Sequence, residues 1–182
     1  MNIKNWTRWL CAWVLSFLLF GQVWAIDPPL GIGEVRVIGS GEAMSKANGL
    51  YQQQAAGLPS GQSVAVGVDR SVSRTGYVKF DGVDPATRTL YDAKGFGYRV
   101  DKNGQWTRST VSEKMQVKLN AQLNRQLAAG RAANMRVEWR VPTPQVKAGM
   151  DSIAKGRITV TVVPPSQAVL DALKSNSAAN SI

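Results

Sequence analysis

The chain has 182 residues, no histidine and a single cysteine. Without an imidazole there can be no Ser-His-Asp triad, no Cys-His pair and no His-built zinc site, and the usual general base is missing. The one thiol, Cys11, lies in the apolar N-terminal stretch, so no disulfide can form within the chain. Long apolar runs are also scarce. The run from Trp9 to Phe20 is about 12 residues, short of the roughly 20 that a membrane-spanning helix needs. It follows Lys4 and Arg8 and precedes "GQVWA", with Val23 and Ala25 at the small-residue positions of a signal-peptidase site. Residues 1–25 therefore read as a cleaved export signal. That leaves a single domain over 26–182, in the periplasm or secreted, with no stable membrane association after cleavage. Acidic residues are few, 12 against 22 basic, for a net charge of +10; without Lys4 and Arg8 the remainder carries +8. Such a balance suits nucleic acid, anionic lipid or an acidic protein. Whatever chemistry remains must use carboxylates, Lys, Tyr, Ser or Thr, or a metal on oxygen ligands.

The patterning of the rest is mixed α and β. "EVRVIG", "SVAVGVDRSV", "GYVKFDGV", "RTLYDAKGFGYRV", "MRVEWRVPT" and "RITVTVVPP" read as strands. Met44, Ala47, Leu50, Tyr51 and Ala55 recur at helical spacing, with Ser40 or Ser45 opening that helix and Gly57 closing it. A long amphipathic helix is expected after Trp106, with Met115, Leu119, Leu123 and Leu127 on one stripe and Gly130 as its stop. "TPQVKAGMDSIAKG" and "SQAVLDALKSNSAANSI" predict two shorter helices. Pro85 sets a turn after Asp84.

Three residues stand out. Asp92 and Lys94 are two apart on a strand, so they point the same way, with Ala93 opposite. Asp81 ends the preceding strand, and a hairpin through "DPAT" would bring its carboxylate to Asp92. Two facing carboxylates repel unless a hard cation lies between them. Water activated by such a cation could replace the absent histidine base, with Lys94 orienting the water or offsetting phosphate charge. On this reading an amide at Asp92 should relieve strain. Gly95 and Gly97 would let backbone approach a ligand closely. The alternative is a solvated hairpin carrying an ordinary Asp–Lys pair. Arg125, Arg131, Arg136 and Arg140 cluster late in the chain and could follow a phosphate backbone. Tyr77 and Tyr91 are expected to pack on the sheet.

"VKFDGVDPATRTLYDAKGFGY", with "LNRQLAAGRAANMRVEWRVPT" downstream and "GLYQQQAAGLPSG" upstream, resembles the restriction-endonuclease-fold toxin domains of bacterial polymorphic toxins, specifically their fifth class. The similarity covers roughly residues 47–165. It implies an α/β restriction-endonuclease-like core over about 42–165, with a central mixed sheet flanked by the helix of 42–56 on one side and that of 109–129 on the other. It also implies a variant of the P-D…(D/E)-x-K site. Asp81 and Asp92 would be its metal-binding carboxylates, with Phe80 standing where the pattern has Pro, and Lys94 its lysine. Gln126 would be a catalytic polar residue facing the site. Glu138 and Trp139 match a later strand, with Trp139 expected in the core. Glu42 or Gln53 could supply a further helix-borne polar group. The implied function is a nuclease using Mg2+ or Mn2+, with DNA as substrate, exported as a toxin and guarded by a cognate immunity protein. The rival is an exported, catalytically inactive module of the same fold that binds nucleic acid or a partner protein.

Overall fold

The computed structural model describes residues 29–39 and 44–179. The expected export signal and Glu42 lie outside the described residues. Among those described, no helix is long and apolar enough to cross a membrane.

Among the described residues, seven strands and four helices make the architecture. The strands are β1 (Val35–Gly39), β2 (Gln62–Gly67), β3 (Tyr77–Phe80), β4 (Gly82–Asp84), β5 (Thr89–Ala93), β6 (Arg136–Val141) and β7 (Thr159–Val162). The helices are α1 (Lys46–Ala56), α2 (Thr110–Ala133), α3 (Pro144–Ala154) and α4 (Gln167–Ala179). β1, β2 and β3 form an antiparallel sheet in that order. The second sheet runs β4-β5-β6-β7 and is mixed: β4 is antiparallel to β5, while β5, β6 and β7 are parallel. The chain is thus α/β with a mixed sheet flanked by helices, as the sequence implied.

The strand read as continuous through "GYVKFDGV" is instead broken at Asp81. Phe80 faces the core beneath α2, with Val64, Val66 and Leu90. Gly82, two residues on, backs against α1: a Cβ there would lie 2.0 Å from the Ala56 carbonyl oxygen. Residues two apart on one strand share a face, and these do not, so alternation slips at Asp81. That slip hands the chain from one sheet to the other.

Each helix follows from local chemistry. Ser45 caps α1, its hydroxyl accepting from Asn48 N at 3.3 Å, and Gly57 closes it at φ +85°. Ser109 caps α2 by accepting from Ser112 N at 3.2 Å. α2 does not stop at Gly130. It continues to Ala133 and ends on Asn134, which is left-handed at φ 53°. Gly130 serves packing instead, since a Cβ there would meet Met135 O and Val137 at 2.9 Å. The glycine lets the last turn of the helix press onto the start of β6.

β6 shows how the layers are divided. Trp139 and Val141 pack with Leu119 and Leu123 of α2 and with Met150 and Ile153 of α3, while Val137 packs with Ala129 of α2. Glu138 and Arg140 face the other way, where Arg140 Nη1 donates to Ala55 O of α1 at 2.6 Å. α1 is held by Tyr51 and Ala55, which pack with Val169 of α4 and with Ala93 and Phe96. α1 and α2 therefore cover opposite faces of the mixed sheet, and β5 runs between them.

Candidate active site

The slip at Asp81 is what creates the site. Asp81 N donates to Tyr91 O at 2.8 Å, which docks the junction onto β5. The side chain then lies across the end of that strand. Ala93 N donates to Asp81 Oδ2 at 2.7 Å, and Gln52 Nε2, from α1, donates to Oδ1. Asp92 projects from β5 toward α2. Three donors reach its Oδ2: Lys94 Nζ at 2.7 Å, Gln122 Nε2 at 3.0 Å and Gln126 Nε2. The Asp81 and Asp92 side chains also lie within hydrogen-bonding reach of each other.

Both amide orientations follow from their partners. The Trp139 indole can only donate, and its Nε1 reaches Gln126 Oε1 at 2.8 Å. Gln126 must therefore turn its NH2 to Asp92. Lys94 likewise can only donate, and it reaches Gln122 Oε1 at 2.8 Å, so the NH2 of Gln122 also faces Asp92. The Lys94 ammonium also stands 4.8 Å from the Trp139 ring centroid. Asp92 and Lys94 are 6% and 3% exposed, which rules out the solvated hairpin pair. Trp139 is fully buried, as expected of a core residue.

Electrostatics separate the two aspartates. Burial raises Asp81, and the neighbouring charge of Asp92 raises it further; together they push it up to about 8. The hydrogen bond from Ala93 N and the Lys94 charge pull the other way without restoring it. Metal-free, the pair thus favours one proton on Asp81 at neutral pH. A divalent cation can take the place of that proton, and the donor set fits one: two convergent carboxylates close enough to share a hydrogen bond. Among the described residues no group of three or more His, Cys, Asp or Glu side chains gathers. The pair would have to be completed by water or substrate oxygens, which is ordinary for Mg2+.

A cavity of about 290 Å³ opens on the pair. It is lined by Asp81 and Asp92, by Asn48 and Gln52 of α1, by Gln122 of α2, and by Lys79 and Tyr98 among others. Lys94 is absent from that lining, because its ammonium is turned inward to Asp92 and Gln122.

The other expected residues divide. Asp81, Asp92, Lys94 and Gln126 come together. Gln53 does not join them: it is exposed, and its neighbour Gln52 carries the amide that reaches the site. Gly95 does line the cavity, but the close approach it permits is to Asn48, whose Oδ1 would lie 2.5 Å from a Cβ and accepts from Phe96 N at 3.0 Å. The four arginines do not form one patch. Arg125 is exposed on α2. Arg131 and Arg136 line a hollow of about 470 Å³ with Arg88, and Arg136 Nη2 donates to Thr87 O at 3.1 Å. Arg140 is committed internally, to Glu138 Oε1 at 2.9 Å, to Ala55 O, and 3.5 Å over the ring of Tyr91. Its Nε, its Nη1 and one face of its guanidinium are thus engaged within the fold.

The sequence reading missed Gln52 and Gln122. Spacing could have found them: Gln52 is one turn beyond Asn48, and Gln122 one turn before Gln126 on the face that carries Leu119 and Leu123.

An α/β core whose mixed sheet is flanked by helices is that of a restriction-endonuclease-like domain. Residues 49–144, just over half the chain, match the family described as restriction endonuclease fold toxin 5. The chain belongs to that family. Among curated proteins none matches it.

Proposed function

We propose that the protein is a metal-dependent nuclease, an exported toxin that hydrolyses phosphodiester bonds, with DNA as its substrate. The observation that carries this reading is the meeting of Asp81 and Asp92 at one cavity from two different elements, with Asp81 held protonated by burial and by the Asp92 charge that a cation would offset. Membership of a family of restriction-endonuclease-fold toxins supports it, as do the positive net charge and the exposed Arg125 and Arg131. Mg2+ or Mn2+ on the two carboxylates would supply Lewis acidity and lower the pKa of the attacking water. The remaining work belongs to the chain. Gln52 and the Ala93 N–H fix the rotamer of Asp81, while Gln126, itself fixed by Trp139, aims Asp92. Lys94 offsets the Asp92 charge until a cation does so, and is then available to the reacting phosphate. One P–O ester bond breaks as the water oxygen adds, and the departing oxygen takes a proton. Export to the periplasm or beyond keeps such an activity away from the producer's chromosome, and a cognate immunity protein is the partner this arrangement calls for.

Incubation of the chain lacking residues 1–25 with plasmid DNA, and separately with a structured RNA, in Mg2+, Mn2+ or EDTA tests the reading. Metal-dependent cleavage, abolished by EDTA and by Asp81→Ala, is expected.

One observation favours a second reading. Lys94 does not line the cavity and is held by an ion pair, as it would be in a domain that keeps the fold only to bind nucleic acid or a protein. That reading predicts DNA binding without cleavage in any metal, and binding that Lys94→Ala leaves unchanged.

A further inference from the structure

The cavity has a wall that the carboxylates do not occupy. Tyr98 lines it, its ring edge-on to Trp106 at 6.3 Å and 87°. Trp106 is pinned in turn by its Nε1, which donates to Gly149 O at 2.9 Å. The phenol is therefore braced against α3. Its hydroxyl is another matter. Tyr51 donates to Val163 O at 3.2 Å and Tyr91 to Asp84 Oδ2 at 3.5 Å, but the Tyr98 oxygen bonds to no described residue. Every buried side-chain nitrogen or oxygen among the described residues has a partner, so the Tyr98 oxygen is one that solvent reaches. Tyr98 lines this cavity, and the charges of both aspartates act on its phenol.

Lys79 lines it too, from β3, two residues before Asp81. Two cations are thus near the carboxylates, and they differ in disposition. Lys94 is turned inward; Lys79 lines the space that a substrate would enter.

We propose that Tyr98 and Lys79 receive the phosphate group of the substrate. The Tyr98 O–H donates to a non-bridging oxygen, and the Lys79 ammonium offsets the charge of the same group or its neighbour. The inference rests on the nuclease reading for the identity of the ligand, a phosphodiester, and assigns the contacts that hold it. Burial, and the charges of Asp92 and Asp81, push the Tyr98 phenol up, so it stays protonated and can act as a donor. Donation to an anionic oxygen is the stronger class of hydrogen bond.

The test measures binding and cleavage separately. Anisotropy of a fluorescein-labelled 12-base-pair DNA duplex is followed in EDTA, where no metal-dependent cleavage can occur. Tyr98→Phe removes one oxygen and no protein hydrogen bond, so its melting temperature should match the parent's while affinity falls about tenfold. Lys79→Gln should weaken binding and lower the slope of log affinity against log salt by about one ion, and Lys79→Arg should restore both. In cleavage assays with Mg2+, both losses should appear in KM, with kcat changed less than about threefold. Parent-like affinity for both Tyr98→Phe and Lys79→Gln at every salt concentration overturns the proposal. So does a lower melting temperature for Tyr98→Phe, because the hydroxyl would then have an internal partner. If the parent cleaves nothing in any metal yet these variants lose affinity, the nuclease reading fails and the phosphate contacts stand.

Discussion

The parallel pair β5–β6 has two unlike ends. Where Thr89 meets Arg136, the hollow lined by Arg88, Arg131 and Arg136 is exposed and positively charged. Where Asp92 meets Trp139, one strand-length away, charge is buried, paired and held by three glutamines. Water screens the first end, so its charges act additively, tolerate substitution and steer ligands from a distance. At the second end each charge is committed to named partners at hydrogen-bond distance, and removing one strands another. The comparison explains why a run of arginines in sequence was a poor guide to a surface. Arg131 and Arg136 reach the hollow, while Arg140, four residues further along the same strand, lies under α1 and becomes part of the scaffold.

The largest expected effect falls on the buried end. Asp92→Asn leaves the Lys94 ammonium without its counter-charge in a buried setting, and losing one partner of a buried pair costs about 3–5 kcal/mol. Urea denaturation should show that loss together with loss of cleavage. The expectation from sequence was opposite, that an amide at Asp92 would relieve repulsion. The structure moves the strain to Asp81, because Asp92 already has Lys94 and two amides.

Arg140→Ala should come next, at about 1–3 kcal/mol, since it frees the Ala55 carbonyl and removes the Glu138 pair and the stacking on Tyr91. It should leave the salt dependence of DNA binding unchanged. A parent-like melting temperature would mean that this arginine belongs with the exposed end after all.

Asp81→Asn should act in the other direction. With Asp81 at about 8 when folded and 3.8 as its ordinary value, the native state holds a proton that the unfolded chain releases above pH 4. The metal-free parent should therefore lose stability as pH rises from about 4 to about 8, then level off. The amide variant lacks that slope and should melt higher than the parent at pH 8, by a few degrees if the difference is about 1 kcal/mol. Mg2+ should stabilise the parent increasingly up to the same pH and the variant hardly at all. Thermal shift across pH, with and without metal, checks each part; a parent with no such slope would mean that Asp81 is ionised throughout.

The smallest effect is expected at the exposed end. Arg131→Ala should change stability by no more than about 0.5 kcal/mol, while lowering the salt slope of DNA binding by about one ion. Were it to abolish cleavage without affecting binding, the two ends would be coupled rather than independent.

Much of this was decided by the sequence alone. The lack of histidine and of paired cysteines removed most catalytic classes. Strand alternation put Asp92 and Lys94 on one face and turned Trp139 inward, and the four-residue stripe of α2 announced its buried side. These are consequences of local geometry, in which the period of a strand or helix fixes which way a side chain points. The tertiary structure decided what happens where elements meet. The strand breaks at Asp81 and its alternation shifts where Gly82 backs against α1. Lys94 turns inward because Gln122, from a helix 28 residues on, offers its carbonyl there. Such outcomes depend on distances between segments that no local period encodes, since a one-residue step rotates a helical side chain by about 100° and reverses a strand residue altogether.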